Sequence, residues 1–165
     1  MKILGIDPGV NRVGYGLIEK KDTASREEVL LSGTIIPPAR LKYEAKLEFI
    51  LSNFDRLLEE NQPDIIAIEE IYLGKNVQVT LKIGQITGIL AGASVRKGIP
   101  FKLLSAREVK QNITGTGAAT KEQVRFMLEH LTGYRNFQGM DESDAVAVAV
   151  SYLTYKKEND LLHLR

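Results

Sequence analysis

The sequence predicts one α/β domain, a five-stranded mixed sheet flanked by helices. Three observations predict it. Residues 1–36 hold three strand-like stretches separated by turns, two later apolar runs are short and alternate with stretches of helical period, and 165 residues at 44% hydrophobic suit one good core better than two.

The first three strands are expected at 2–7, 13–19 and 29–36. Pro8-Gly9-Val10-Asn11 has the composition of a tight turn, and Gly14 and Gly16 inside the second strand predict a bend or a close approach of another backbone. Over 41–61 the apolar residues Leu47, Ile50, Leu51, Phe54, Leu57 and Leu58 recur at three and four, which predicts an amphipathic helix stopped by Pro63. Residues 64–71 form a short run that is apolar on both faces, as in a buried parallel strand, and 77–97 reads as a second helix.

A fifth strand at 101–104 leads into Ser105-Ala-Arg-Glu108, a capping box that opens a short helix broken by Gly115-Thr-Gly117. Thr120-Lys-Glu-Gln123 is a second capping box. Val124, Met127, Leu128 and Leu131 follow it as an apolar stripe, with Gly133 placed to cap the end. The last helix is expected over 141–156, so the domain spans 1–156 and 157–165 forms a C-terminal tail. Gly84, Gly88 and Gly92 recur every fourth residue on the second helix at some cost in helix propensity, which points to a close neighbour on that face: a strand of the same domain or the same helix of a second subunit.

Four carboxylates stand where apolar runs end. Asp7 closes Ile3-Leu4-Gly5-Ile6, Glu69 closes Ile65-Ile66-Ala67-Ile68, and Asp141 with Asp144 opens an Ala/Val-rich segment. Clustered buried acids raise the cost of one another's charge, and a divalent metal is the common remedy. An all-oxygen donor set selects a hard ion such as Mg²⁺, with Mn²⁺ as a substitute, and phosphate chemistry is its natural use. The β-α-β crossover makes strands one and four neighbours, and Asp141 and Asp144, three apart on a helix, share a face with Cβ atoms about 5–6 Å apart. A helix packed over those two strands completes a four-acid pocket. Two Mg²⁺ ions about 3.5–4 Å apart in such a pocket can activate water and stabilise the leaving oxygen of a phosphodiester.

Leu4-Gly-Ile-Asp7-Pro-Gly9, Ile66-Ala-Ile-Glu69, Tyr72-Leu-Gly-Lys75-Asn76 and Asp141-Glu-Ser-Asp144-Ala-Val-Ala, in this order and spacing, resemble the signature segments of the RuvC family, bacterial crossover-junction endodeoxyribonucleases. The resemblance spans nearly the whole chain, including Val109-Lys110-Gln111 and the stretch from Gly115 to Lys121. It implies a ribonuclease H-like fold, a homodimer, Mg²⁺ dependence, and resolution of four-way (Holliday) DNA junctions by paired symmetric nicks in recombination and repair. It further implies a RuvA/RuvB branch-migration complex as partner. Residue by residue, it assigns Asp7, Glu69, Asp141 and Asp144 as catalytic metal ligands, Lys110 and Lys121 as DNA contacts near the scissile phosphate, Tyr72 as a stacking aromatic and Lys75 as a DNA contact. Some relatives carry histidine at the position of Asp141. Glu70 is the rival of Glu69, and since adjacent strand residues face opposite sides only one of them can point at Asp7.

Other readings stay open on the residues. Asp7-x-Gly9 with Gly14 also resembles the first phosphate loop of actin-like ATPases and sugar kinases, and a ribonuclease H-like enzyme acting on RNA would use the same acids. A formal net charge of +1 gives no global case for nucleic acid, although Lys102, Arg107, Lys110, Lys121 and Arg125 gather in the C-terminal half. The absence of cysteine excludes disulfides and thiolate chemistry. With Asp7 too early for a signal-peptide core and no apolar run of about 18 residues, a cytoplasmic protein is expected.

Overall fold

The computed structural model describes residues 1–22, 25–72, 74 and 76–162, the last six of these in backbone only. The chain runs β1 (Lys2–Pro8), β2 (Val13–Glu19), β3 (Glu28–Ile35), α1 (Tyr43–Asn61), β4 (Ile65–Glu70), α2 (Val77–Arg96), β5 (Phe101–Ser105), α3 (Ala106–Thr114), α4 (Lys121–Thr132) and α5 (Met140–Leu162). The five strands form one sheet in the order β3-β2-β1-β4-β5. β1 pairs antiparallel with β2 and parallel with β4, so the sheet is mixed and the expected neighbours adjoin.

Period-two alternation sorts the strand residues between two cores. Leu4, Ile6, Ile66 and Ile68 face α1 and α2, packing with Ile50, Phe54, Leu58, Ile86 and Leu90. Ile3, Ala67 and Leu104 face the other way, toward Val109, Ile113, Val124, Leu128 and the run Val146–Val150 of α5. α5 is buried on nearly every side from Ala145 to Val150 because it lies between the sheet and the α3/α4 pair. That explains a helix with little amphipathic contrast.

Both capping boxes form. The Ser105 hydroxyl accepts from the Glu108 N–H while the Glu108 carboxylate accepts from the Ser105 N–H, and Thr120 and Gln123 repeat the arrangement. Gly115 and Gly133 end α3 and α4 with φ of 79° and 74°, the left-handed conformation that glycine adopts without penalty. α1 ends at Asn61 as expected, closing on Gln62 in the left-handed region just ahead of Pro63, and begins two residues later than expected, at Tyr43. α5 runs six residues past Lys156 to Leu162, as no glycine or proline stands in that stretch to break it.

Candidate active site

Parity brings the first two acids together. Ile3, Gly5 and Asp7 lie on one face of β1, and Ala67 and Glu69 lie on the same face of β4, which is the face α5 covers. Ile6 pairs with Ile68 in the parallel register, so Asp7 and Glu69 come one step later, side by side where the strands run out. Glu70, with opposite parity, is exposed and lines a different cleft.

Glycines set the height of the third acid. A Cβ on Gly5 would overlap the carbonyl of Ala145, one on Gly14 the carbonyl of Asp141, and one on Gly16 the side chain of Val146. Gly5 and Gly16 are cross-strand partners, as are Asp7 and Gly14, so a side-chain-free track crosses β1 and β2 and α5 beds into it. The close approach predicted from Gly14 and Gly16 is therefore made by α5. Its first turn is also tied to the sheet by the buried Glu142, whose carboxylate accepts from the Ser32 hydroxyl at 3.1 Å and the Gln138 N–H at 3.2 Å.

The electrostatics show what this proximity costs. Burial, then Asp144, pushes the Asp7 carboxyl up from 3.8 to about 6, and Asp141 adds to the push. Burial, then Asp7 and Asp144, pushes Glu69 from 4.5 to about 7. Lys121 opposes both shifts, and Lys110 opposes the second. The Lys121 ammonium donates directly to Asp144, whose side chain is only 12% exposed, and the three acids together hold the lysine above its ordinary range. Asp141 stands further out, with the Arg12 guanidinium 3.5 Å away.

Glu69, Asp144, Lys110 and Lys121 line a common cleft of about 150 Å³. Among the described residues no three acids or histidines converge closely enough to ligate a single ion, since Asp144 is turned to Lys121 and Asp141 to Arg12. The donor set nonetheless fits a hard divalent cation. It offers oxygen alone, and it keeps Asp7 and Glu69 where their charges repel, an arrangement a cation would relieve.

Tyr72 stands just past β4 with 87% of its surface exposed, on a second cleft shared with Lys110. Lys75 lies outside the described residues. Sequence reasoning missed Arg12 as the partner of Asp141, although its place in the β1–β2 turn, five residues after Asp7, is a usable signal. It also missed Gly5, whose pairing with Gly16 becomes visible only with the strand register.

Residues 3–152 match the family model described as crossover junction endodeoxyribonuclease RuvC. The protein of that name from Trichlorobacter lovleyi is 38% identical over 153 residues, covering 93% of this chain and 85% of that one. Its counterpart from Syntrophomonas wolfei is 37% identical over 154 residues, with 93% and 88% covered. Among solved structures, Thermus thermophilus RuvC in complex with Holliday junction substrate superposes with a TM-score of 0.89 at 24% identity, covering 96% of each chain. The likeness in fold thus persists where most of the sequence has diverged.

Proposed function

The chain belongs to the RuvC family of crossover junction endodeoxyribonucleases, and from that premise we propose how its acids and cations resolve a Holliday junction. The protein is an endonuclease acting on four-way DNA junctions. Asp7, Glu69, Asp141 and Asp144 would hold Mg²⁺, with Mn²⁺ as a substitute. When bound, the metal supplies activation of a water and charge stabilisation at the phosphodiester being hydrolysed. The observation that carries this reading is the pair of carboxylates at the ends of β1 and β4, both raised by burial and by their acidic neighbours toward neutral pH.

The chain's own groups divide the remaining work. Asp7 and Glu69 give up residual protons as the cation binds, which makes metal affinity rise with pH. Lys121 and Lys110 offset the acids' field and offer positive charge to the incoming phosphate. Tyr72, held clear of the core, presents an aromatic face for an unpaired junction base.

Two coordinated nicks need two sites, which supports a homodimer. One stripe of α2 carries the exposed Val77, Leu81 and Val95 together with Gly84, Gly88 and Gly92. Among the described residues, nothing beyond their own helix lies within 4 Å of a Cβ built on Gly88 or Gly92. An apolar stripe with a shallow centre suits the same helix of a second copy across a two-fold axis. The family further suggests a RuvA/RuvB branch-migration complex as partner and the cytoplasm as location. No helix among the described residues is long and apolar enough to cross a membrane.

A cleavage assay offering four-way DNA junction, linear duplex, RNA–DNA hybrid and ATP tests the reading. Mg²⁺-dependent paired nicking confined to the junction is expected. Preferential cutting of the hybrid would make the enzyme a ribonuclease, and turnover of ATP would favour the phosphate-loop alternative.

A further inference from the structure

Beside the acidic cleft lies a larger one of about 530 Å³ that shares Ala106 and Lys110 with it. Tyr72, Glu70, Arg107 and Gly117 complete its wall. A strand of DNA presenting a phosphate to the acids has room for a neighbouring nucleotide in this adjoining space.

Arg107 is a group in that wall for which the fold supplies no reason. It is exposed and, among the described residues, makes no ion pair and no side-chain hydrogen bond. It also sits in the first turn of α3, the end of a helix where a cation is disfavoured by the dipole. Helix stability therefore does not account for it.

Its stem is nevertheless held in place. A Cβ on Gly117 would fall 2.7 Å from Arg107 Cγ, 3.2 Å from Nε and 3.5 Å from Cδ, so the aliphatic chain lies directly over the bare backbone of the α3–α4 loop. An arginine seated this way loses less freedom when its guanidinium meets a partner, and the planar fork matches a phosphate. Arg107 and Lys110 together outnumber the single carboxylate of Glu70 in the cleft.

We propose that Arg107, seated on Gly117, pairs with a backbone phosphate of the cleaved strand next to the one being hydrolysed, and so tightens binding of that strand in the ground state and the transition state alike. The proposal rests on the junction-nuclease reading above. Its test separates the two.

Binding of the full-length protein to four-way junction and to linear duplex is measured in EDTA from 50 to 200 mM salt. A parent protein with no preference for the junction overturns the functional reading itself, and this inference with it. Given that preference, Arg107→Ala should weaken junction binding severalfold at 50 mM and lower the log–log salt slope by about 0.9, so that the deficit shrinks about 3.5-fold by 200 mM. With Mg²⁺, KM for the junction should rise while kcat at saturating DNA is kept. Arg107→Lys should restore the salt slope without restoring full affinity, which also shows that the fold survives change at this position. Gly117→Ala should weaken binding in the parent and add nothing in the Arg107→Ala background. Unchanged affinity and slope in Arg107→Ala overturns the proposal. So does a relaxed base preference at the cut with the slope intact, which would make Arg107 a reader of bases, and so does a Gly117→Ala loss that persists in full without Arg107.

Discussion

Replacing Asp7 by asparagine removes one charge from the acidic pair and changes almost nothing in shape, so it separates the chemical role of this residue from a structural one. In the folded protein the Asp7 carboxyl is raised from 3.8 to about 6, chiefly by burial and then by Asp144. Each pH unit between the unfolded and folded values is worth about 1.4 kcal/mol. Because the folded value is the higher, the folded state binds the proton more tightly, and stability is lost as pH rises from about 4 to above 6. The metal-free parent thus carries a penalty of about 3 kcal/mol at pH 8 and little at pH 4. Asparagine resembles the protonated acid and carries no such penalty. Asp7→Asn should then melt at nearly the parent's temperature at pH 4 in EDTA and about 6–12 °C higher at pH 8, since about 1 kcal/mol moves a domain of this size by about 2–4 °C. The same variant should lose Mg²⁺-dependent nicking and keep junction binding. Nicking near the parent's rate would end the metal-ligand reading. A lower melting temperature at pH 8 would show instead that Asp7 is a structural turn acid.

Lys121→Ala removes the cation that faces all three acids; being more than half exposed, it should lower metal-free stability by about 1 kcal/mol or less at pH 8. The loss should shrink at pH 5, where Asp7 and Glu69 are mostly neutral, and a loss equal at both pH values would refute the electrostatic account. Tyr72→Ala should weaken junction processing by roughly 1–3 kcal/mol with the salt slope of binding unchanged, because lost stacking releases no counterions. At 87% exposure the residue contributes little to the core, so a variant that fails to fold would contradict its placement. A Cβ at Gly88 meets no described residue within 4 Å and leucine gains helix propensity over glycine, so the Gly88→Leu subunit should stay folded while sedimenting as a monomer. A parent that is already monomeric at micromolar concentration refutes the dimer, and a Gly88→Leu variant that remains dimeric moves the interface elsewhere.

The elements that sequence alone could place are those whose signals are local. The strand-like stretches 2–7 and 13–19 bounded by turn residues, the three-four period through Phe54 and the two capping boxes each act within a few residues, and each forms at its expected place. The end of α5 was less legible, because an end depends on what stops the chain, and α5 continues where nothing stops it. The burial of α5 on nearly every side from Ala145 to Val150 was equally hidden. Its Ala/Val sequence states only that it is apolar, while the need to be so all round comes from lying between the sheet and the α3/α4 pair.

The candidate site divides along the same line. That Asp7 and Glu69 share a face follows from strand parity and a right-handed crossover, both readable in advance. That Asp144 reaches them does not, because its height above the sheet is set by Gly5, Gly14 and Gly16, and a glycine track exists only once the register Gly5↔Gly16 and Asp7↔Gly14 is known. These glycines and the acids form one device. Without the track, the Asp141 carbonyl and the backbone at Ala145 would be lifted from β1 and β2, and Asp144 would rise with them. Burial is the larger cause of the upward shifts of Asp7 and Glu69, and the part that Asp144 adds to it would then relax. The fold thus uses a close helix–sheet contact to press a third acid onto two that are already buried together, which costs stability in the protein alone and is a cost that a cation among them would relieve.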